Sequence, residues 1–151
     1  MSAPEFDPVT ARGTVYPEHC DHMGHMNVAA YTKKFDEATW SLWVTAGMSH
    51  KAMTAEGTGL AALESNFTYK RELFPGDTYI IRSRFLKLRD RTATFHHRMY
   101  ILDGEEETLA ATCTYTAACL DRAAHRARSF PDAVAAKVRA RLDPLPEEVT
   151  P

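Results

Sequence analysis

The chain has 151 residues, of which 44% are hydrophobic and 25% charged, and its formal net charge is -2 at pH 7. These values are ordinary for one globular domain with a real core, and the near-neutral charge disfavours a protein that coats nucleic acid or an anionic membrane. No apolar run approaches the roughly 18 residues of a membrane span, and the first residues lack the pattern of a secretory signal.

The first third of the chain predicts a short strand and one long helix. Residues 1–11 are polar and are expected to form a loose arm, and RGTVYPEH at 12–19 is typical of a short strand. Asn27 stands where a helix N-cap belongs, and Gly47 stands where a helix usually ends. Between them, apolar residues recur at the three- and four-residue steps of a helix over about 28–46, namely Val28, Tyr31, Phe35, Ala38 and Leu42.

Four segments after the helix alternate apolar and polar residues, which predicts antiparallel strands. They are LAALESNFTYKREL (60–73), TYIIRSRFLKL (78–88), TATFHHRMYIL (92–102) and TLAATCTYTAACL (108–120). PGD, RDR and DGEEE between them are typical of turns. PDAVAAKVRARL at 131–142 predicts a terminal helix, and residues 143–151 are expected to be a disordered tail.

These elements predict one α+β domain over residues 12–142. The natural packing wraps a curved five-stranded antiparallel sheet around the long helix. The outer face of the sheet, which bears threonine and arginine, is then left for solvent or for a second subunit.

The densest polar chemistry of the sequence is HCDHMGHMN, residues 19–27, directly before the long helix. A metal site is one interpretation, since His19, Asp21, His22 and His25 are competent ligands and the spacing of the last two is plausible, but the usual paired-histidine zinc signature and a second ligand cluster are absent. A structural interpretation explains Asn27 as a cap and leaves the crowding of the other polar residues unexplained. In a catalytic interpretation, unpaired N–H groups of the first helical turn hold a polarised carbonyl oxygen, and Asp21 attacks the carbonyl or activates water.

HCDHMGHMNVAAYTKKFDEA resembles the signature of hotdog-fold acyl-CoA thioesterases of the 4-hydroxybenzoyl-CoA thioesterase type. The matching positions are Asp21, Gly24, His25, Asn27, Tyr31 and Glu37. ELFPGD at 72–77 is similar to the family's strand and turn before its third strand, and the resemblance spans about residues 10–120. It implies a hotdog fold, with a long central helix wrapped by a five-stranded antiparallel sheet.

The resemblance also implies a reaction, the hydrolysis of an acyl-CoA thioester to the free acid and CoA without a metal or redox cofactor. Asp21 would be the nucleophile or general base, and the N–H near Val28 would polarise the carbonyl. His25 and Asn27 would orient the loop or contact substrate, and Tyr31 is expected to bind substrate. Some branches of the family use a glutamate elsewhere. Glu64 is the candidate for that role here, beside its more ordinary role as an exposed strand carboxylate.

Basic and aromatic residues offer candidate contacts to the two ends of such a substrate. Arg89 and Arg91 at a hairpin tip are candidates for the CoA phosphates. Alternatives are Lys70, Arg71, Arg122, Arg126 and Arg128. Trp40 and Trp43 either complete the core or form a pocket for an aryl or quaternary-ammonium acyl group.

Open sheet edges and the family resemblance imply a homodimer or homotetramer with sites at subunit interfaces, completed by partner residues near Glu64 or Asn66. Three cysteines without disulfide spacing are typical of the cytoplasm. Three other functions stay open: a non-catalytic acyl-CoA or acyl-carrier binding protein, a hotdog dehydratase, and a metal protein that uses the histidines of residues 19–25. The dehydratase is disfavoured because its histidine usually lies within the helix.

Overall fold

The computed structural model describes residues 7–143, which form an α+β fold of six strands and three α-helices. In chain order these are β1 Val9–Thr14, α1 Val28–Thr45, α2 His50–Glu56, β2 Thr58–Tyr69, β3 Thr78–Leu88, β4 Thr92–Asp103, β5 Glu106–Asp121, β6 Arg126–Ala127 and α3 Asp132–Arg139. A 3-10 helix, Pro17–His19, lies between β1 and α1. The strands are antiparallel in the order β1-β3-β4-β5-β2, and the two-residue β6 pairs with β5.

The long helix α1 begins and ends close to its predicted bounds. The Asn27 side chain accepts a hydrogen bond from the Ala30 N–H at 2.9 Å and so caps the first turn. At the other end, Gly47 has a φ of +95°, a conformation that favours glycine after a helix. The buried stripe of α1 packs on the concave face of the sheet and comprises Tyr31, Phe35, Ala38, Leu42 and Trp43. The prediction of a helix held inside a curved sheet is confirmed.

The two faces of the sheet follow the predicted alternation. On β5 the core side carries Ala111, Cys113, Tyr115, Ala117 and Cys119, and the threonines between them point to the outer face. The Trp43 indole is fully buried, stacks on Phe130 and meets Phe85 edge to face. Trp43 therefore completes the core, which was one of the two predicted alternatives.

Several boundaries differ from the sequence prediction. β1 begins at Val9, so residues 9–11 of the expected arm belong to a strand that pairs with β3. The strand predicted over 60–73 is displaced to Thr58–Tyr69, since residues 70–73 turn away across the end of the sheet. The helix α2 and the sixth strand β6 were not predicted. Residues 1–6 of the arm and 144–151 of the tail lie outside the described residues.

The outer face also differs from the prediction, because two of its arginines are buried. The Asp7 carboxylate binds Arg84 in a bidentate pair, with oxygen to nitrogen distances of 2.9 and 2.7 Å, and also contacts Arg98. All three side chains are almost fully buried. The chain before β1 therefore covers this part of the sheet, which is closed to solvent there.

Candidate active site

The loop of residues 19–27 is closed on itself and held against the start of α1. Cys20 and Met26 form an antiparallel bridge, and the Asn27 N–H donates to the His19 carbonyl at 3.0 Å. The Met26 N–H donates to the Leu73 carbonyl at 2.8 Å, which ties the loop to the segment after β2. Gly24 turns the loop with a φ of +85°. The loop therefore brings the polar motif back beside the first helical turn.

The first turn of α1 offers free backbone donors. The Asn27 side chain accepts from the Ala30 N–H, and its carbonyl accepts from the Tyr31 N–H at 3.2 Å. Within the described residues no acceptor binds the N–H of Val28 or Ala29. Helix N-termini attract anionic oxygen, because these N–H groups and the helix dipole point outward. The start of α1 can therefore stabilise a developing oxyanion.

An open cleft of about 810 Å³ lies in front of this turn. The loop and α1 line one wall with His25, Val28 and Tyr31. The segment that follows β2 lines the opposite wall, from Tyr69 to Phe74. The Val28 side chain is 62% exposed at the mouth of the cleft, so a ligand can approach its N–H from solvent.

Aromatic rings form one wall of the cleft. Tyr31 and Tyr69 meet edge to face with ring centroids 5.1 Å apart, and the Tyr31 hydroxyl donates to the Arg71 carbonyl at 3.4 Å. Burial raises the pKa of Tyr31 to about 12, so the phenol stays neutral near neutral pH. Phe74 meets His25 edge to face at 6.3 Å. This wall can contact an apolar or cationic group through ring faces and edges.

Charged groups line the rest of the cleft. The His25 Nε2 lies 3.6 Å from a carboxylate oxygen of Glu72, and its Nδ1 lies 3.3 Å from the Met26 carbonyl. Lys70 and Arg71 are exposed at the rim. With Asp77, which also lines the cleft, one open space combines an imidazole, two carboxylates and two cations.

The structure brings four of the predicted site residues together. His25, Val28 and Tyr31 line the cleft, and Asn27 lies directly behind it as the helix cap. Asp21 is in the same closed loop, but its carboxylate is exposed, accepts a hydrogen bond from the Met23 N–H at 2.9 Å and does not line the cleft. Its role in catalysis stays a prediction.

Three other predicted residues lie away from the cleft of the same chain. Glu64 pairs with Thr116 on the outer face of the sheet, opposite to α1. Arg89 lines a separate depression on that face, and the Arg91 side chain is 63% exposed beside Asp90. The β3–β4 hairpin that carries both arginines is about 30 Å from the cleft, as Thr92 and Ile101 are nine residues apart along β4.

In the second wall of the cleft, sequence reasoning named Lys70 and Arg71 as alternative CoA contacts but missed Tyr69, Glu72 and Phe74. The only signal in the sequence was ELFPGD, which resembled a structural turn and carried no functional assignment. Among the described residues, no three His, Cys, Asp or Glu side chains gather as metal ligands would, and no helix has the length and apolar character needed to cross a bilayer.

Comparison with known proteins identifies relatives of this chain. The family model of the thioesterase-like superfamily matches residues 15–138. A betainyl-CoA thioesterase from Pseudomonas aeruginosa is 30% identical over 96 residues, which are 64% of this chain. The match spans 60% of the length of that relative.

Solved structures resemble the fold over most of the chain. The hypothetical protein SAV2348 from Staphylococcus aureus, in complex with CoA, has a TM-score of 0.83 at 21% identity and covers 95% of this chain and 92% of its own. The probable thioesterase YbaW from Escherichia coli has a TM-score of 0.74 at 20% identity, with coverage of 90% and 100%. These likenesses confirm the predicted hotdog fold. Because the family model covers far more than half of the sequence, the chain belongs to the thioesterase-like superfamily.

Proposed function

We propose that this protein is an acyl-CoA thioesterase, which hydrolyses a thioester to the free acid and CoA. The observation that carries the proposal is the open cleft in front of the unbonded N–H groups of Val28 and Ala29. An acyl transfer reaction needs donors where the carbonyl oxygen gains charge, and helix-terminal N–H groups supply them. Membership in the thioesterase-like superfamily supports the same reaction.

The proposed reaction begins with the thioester carbonyl oxygen accepting a hydrogen bond from the Val28 N–H. As general base, Asp21 takes a proton from water and the resulting hydroxide adds to the carbonyl carbon; the tetrahedral oxyanion then collapses, the C–S bond breaks, and the CoA thiolate takes the proton from Asp21. In the nucleophilic alternative the Asp21 carboxylate adds to that carbon itself, the oxyanion collapses with loss of the CoA thiolate to leave a mixed anhydride, and water then hydrolyses the anhydride and gives up a proton to the thiolate. In the structure the Asp21 carboxylate accepts a hydrogen bond from the Met23 N–H, and the proposed reaction requires it to release that bond and turn toward the substrate.

Lys70 and Arg71 are the proposed contacts for the CoA phosphates. Both are exposed at the rim of the cleft, whereas Arg89 and Arg91 lie at the far end of the sheet in the same chain. Guanidinium and ammonium groups recognise phosphate through charge-assisted hydrogen bonds. The phosphates would therefore stay in solvent beside residues 70–71 while the acyl group enters the cleft.

The acyl group that suits the cleft carries a positive charge. Tyr31, Tyr69 and Phe74 present aromatic rings, and Glu72 adds a negative charge beside them. A quaternary ammonium group binds aromatic rings through cation–π attraction. The relative from Pseudomonas aeruginosa is named for a betainyl-CoA substrate. We therefore place betainyl-CoA and similar cationic esters first among the substrates to test.

The proposed assembly is a homodimer that forms through the edge of β2, and the proposed location is the cytoplasm. β2 is twelve residues long and lies at the end of the strand order. Unpaired edges of this length readily pair with a second copy. All three cysteines are free, and two of them are buried, which suits a reducing compartment.

The experiment that tests the proposal replaces Val28 with proline. Proline is favoured at the first helical position and removes only the N–H, since Asn27 already has the extended conformation that proline requires before it. Val28→Pro should lower kcat for CoA release from its best substrate about 100-fold, while Val28→Ala keeps the N–H and most of the rate.

Thiol release from a panel of acyl-CoA esters is the measurement. Binding of these esters without thiol release by the wild-type protein would identify a non-catalytic binding protein. Equal rates for Val28→Pro and Val28→Ala would rule out the helix N–H as the oxyanion donor.

A further inference from the structure

A tight turn, residues 74–77, ends the wall of the candidate active site that faces α1. The Asp77 N–H donates to the Phe74 carbonyl at 2.9 Å, which closes a four-residue β-turn. Pro75 and Gly76 occupy its two central positions, and Gly76 has a φ of +96°, which is typical of a type II turn. The ELFPGD motif therefore ends in a backbone conformation that suits its residues.

The Asp77 side chain adds a second hydrogen bond within the same turn. Its Oδ2 accepts from the Phe74 N–H at 2.8 Å, so both backbone polar groups of Phe74 are bound to Asp77. The chain after β1 holds the turn from outside. The Gly76 N–H donates to the Val15 carbonyl at 2.9 Å, and the Val15 N–H donates to the Asp77 carbonyl at 2.8 Å. Asp77 thus connects Phe74 to a fixed part of the fold.

The position of the Phe74 ring depends on this connection, because burial does not hold the ring. The preceding Leu73 is fully buried, whereas Phe74 is 48% exposed. The Phe74 ring lines the cleft and meets the His25 ring edge to face, with centroids 6.3 Å apart. An exposed ring gains little free energy from burial. The backbone of residue 74 therefore sets where the ring lies relative to His25.

We propose, on the basis of the thioesterase function proposed above, that Asp77 is a positioning residue for the acyl group and acts through Phe74. The bond from the Phe74 N–H to the Asp77 carboxylate keeps the aromatic ring at the edge of the cleft, where it contacts the acyl group. The Val28 N–H lies on the other wall. Loss of the bond therefore weakens substrate binding and leaves the oxyanion donor in place.

Two variants at residue 77 separate the hydrogen bond from the charge. Asp77→Ala and Asp77→Asn both remove a negative charge from the cleft, but the asparagine side-chain oxygen still accepts from the Phe74 N–H. With a neutral ester that the wild type hydrolyses, Asp77→Ala should raise KM about fivefold and keep kcat within about twofold of wild type. Asp77→Asn should keep the wild-type KM.

A double variant tests whether Asp77 acts through the ring. Phe74→Ala should raise KM for the same ester about fivefold, because the acyl group loses an aromatic contact. Asp77→Ala should add little in the Phe74→Ala background, since the ring that it positions is already absent. Additive effects of the two substitutions on KM would overturn the proposal.

A ring-current shift in the proton NMR spectrum gives a readout that needs no activity. The Phe74 ring displaces the ring-proton resonances of His25, which are identified by their absence in His25→Gln. Phe74→Leu gives their positions without the aromatic ring. The spectra are compared at a pH above the range in which these resonances titrate. Asp77→Ala should move them toward the Phe74→Leu positions, and Asp77→Asn should leave them at the wild-type positions.

The two readouts separate the possible failures. Wild-type resonances in Asp77→Ala would overturn the proposal, and so would displaced resonances with an unchanged KM. Equal behaviour of Asp77→Asn and Asp77→Ala would assign the effect to charge, which also overturns it. An inactive wild-type protein would refute the thioesterase function, whereas the resonances would still decide whether Asp77 positions the Phe74 ring.

Discussion

At the scale of single residues, two carboxylates compete for the role of base or nucleophile. Asp21 precedes the free N–H of Val28 by seven residues in a closed loop, but its carboxylate is bonded to the Met23 N–H. Glu72 lines the cleft and lies 3.6 Å from His25, but it belongs to the wall opposite the helix start. The sequence resemblance favours Asp21, and Glu72 is better placed to hold His25 or a cationic acyl group.

Replacing each carboxylate by its amide separates these roles. Asp21→Asn should lower kcat by at least 100-fold with little change in KM, because an amide neither takes a proton from water nor attacks a carbonyl. Glu72→Gln should raise KM for cationic esters about tenfold and leave kcat for neutral esters close to wild type. Steady-state kinetics on one cationic and one neutral ester check both. The reverse pattern would transfer the chemical role to Glu72.

A buried histidine, which does not line the cleft, links α1 to the sheet. The Thr39 hydroxyl donates to the Phe35 carbonyl, so its oxygen accepts from the His97 Nε2–H at 2.8 Å. The His97 Nδ1 then accepts from the Ser83 hydroxyl at 2.5 Å. This assignment satisfies both ring nitrogens of a neutral imidazole. Burial lowers the pKa of His97 to about 3, so protonation is strongly disfavoured in the folded chain.

This lowered pKa predicts acid sensitivity. The unfolded chain protonates His97 near pH 6.5, whereas the folded chain does so only near pH 3, so stability is complete above pH 6.5 and falls as the pH drops toward 3. By pH 5 the loss from this group should be about 2 kcal/mol. Urea unfolding at pH 7 and pH 5 measures it. His97→Gln should be less stable at pH 7 but less sensitive to acid, and His50→Gln, an exposed control, should behave like wild type.

At the scale of elements, ion pairs of Asp7 hold the chain before β1 against the sheet. The Asp7 carboxylate binds the guanidinium of Arg84 on β3 and that of Arg98 on β4. It therefore connects the start of β1 to the two central strands of the sheet. A buried ion pair adds little stability compared with apolar side chains packed in the same volume. Removal of one partner, however, leaves an unpaired buried charge, which destabilises the fold.

Asp7→Asn should therefore destabilise the fold by about 3–5 kcal/mol, because two buried guanidinium groups lose a shared carboxylate. The control is Asp143→Asn, which removes a half-exposed carboxylate 3.6 Å from the same Arg84 and should cost much less. Urea midpoints at constant m-value give the comparison. Similar midpoints for the two variants would show that Asp7 is dispensable.

The elements that the sequence predicted well are those with local signals. Asn27 and the apolar spacing marked α1, and the turn residues marked the hairpins. α2 was missed although Ser49 caps it and Gly57 ends it, because seven residues carry too short a pattern to stand out. The start of β1 and the burial of Arg84 depend on partners about seventy or more residues away, which no local pattern reveals. The same limit hid Glu72 and Phe74, which reach the cleft only through tertiary folding.

At the scale of the whole molecule, the two edges of the sheet differ. β1 forms one edge with six residues and an irregular register near Val9. β2 forms the other with twelve residues, and its bulge leaves Leu63 without a partner on β5. A short edge offers few backbone groups to a second strand, while a long edge offers many. Self-association is therefore expected at β2.

A lysine at the edge of β2 tests this expectation. Leu63→Lys places a charge where two copies would meet, so we expect a monomer by light scattering, unchanged circular dichroism and at least a tenfold loss of kcat/KM. The loss follows because Tyr69, the last residue of β2, lines the cleft, so the proposed dimer would place each cleft beside the partner subunit. Leu142→Lys makes the same substitution at an exposed leucine beside β3, away from β2, and should leave mass and rate unchanged. A fully active Leu63→Lys monomer would mean that one chain holds a complete site.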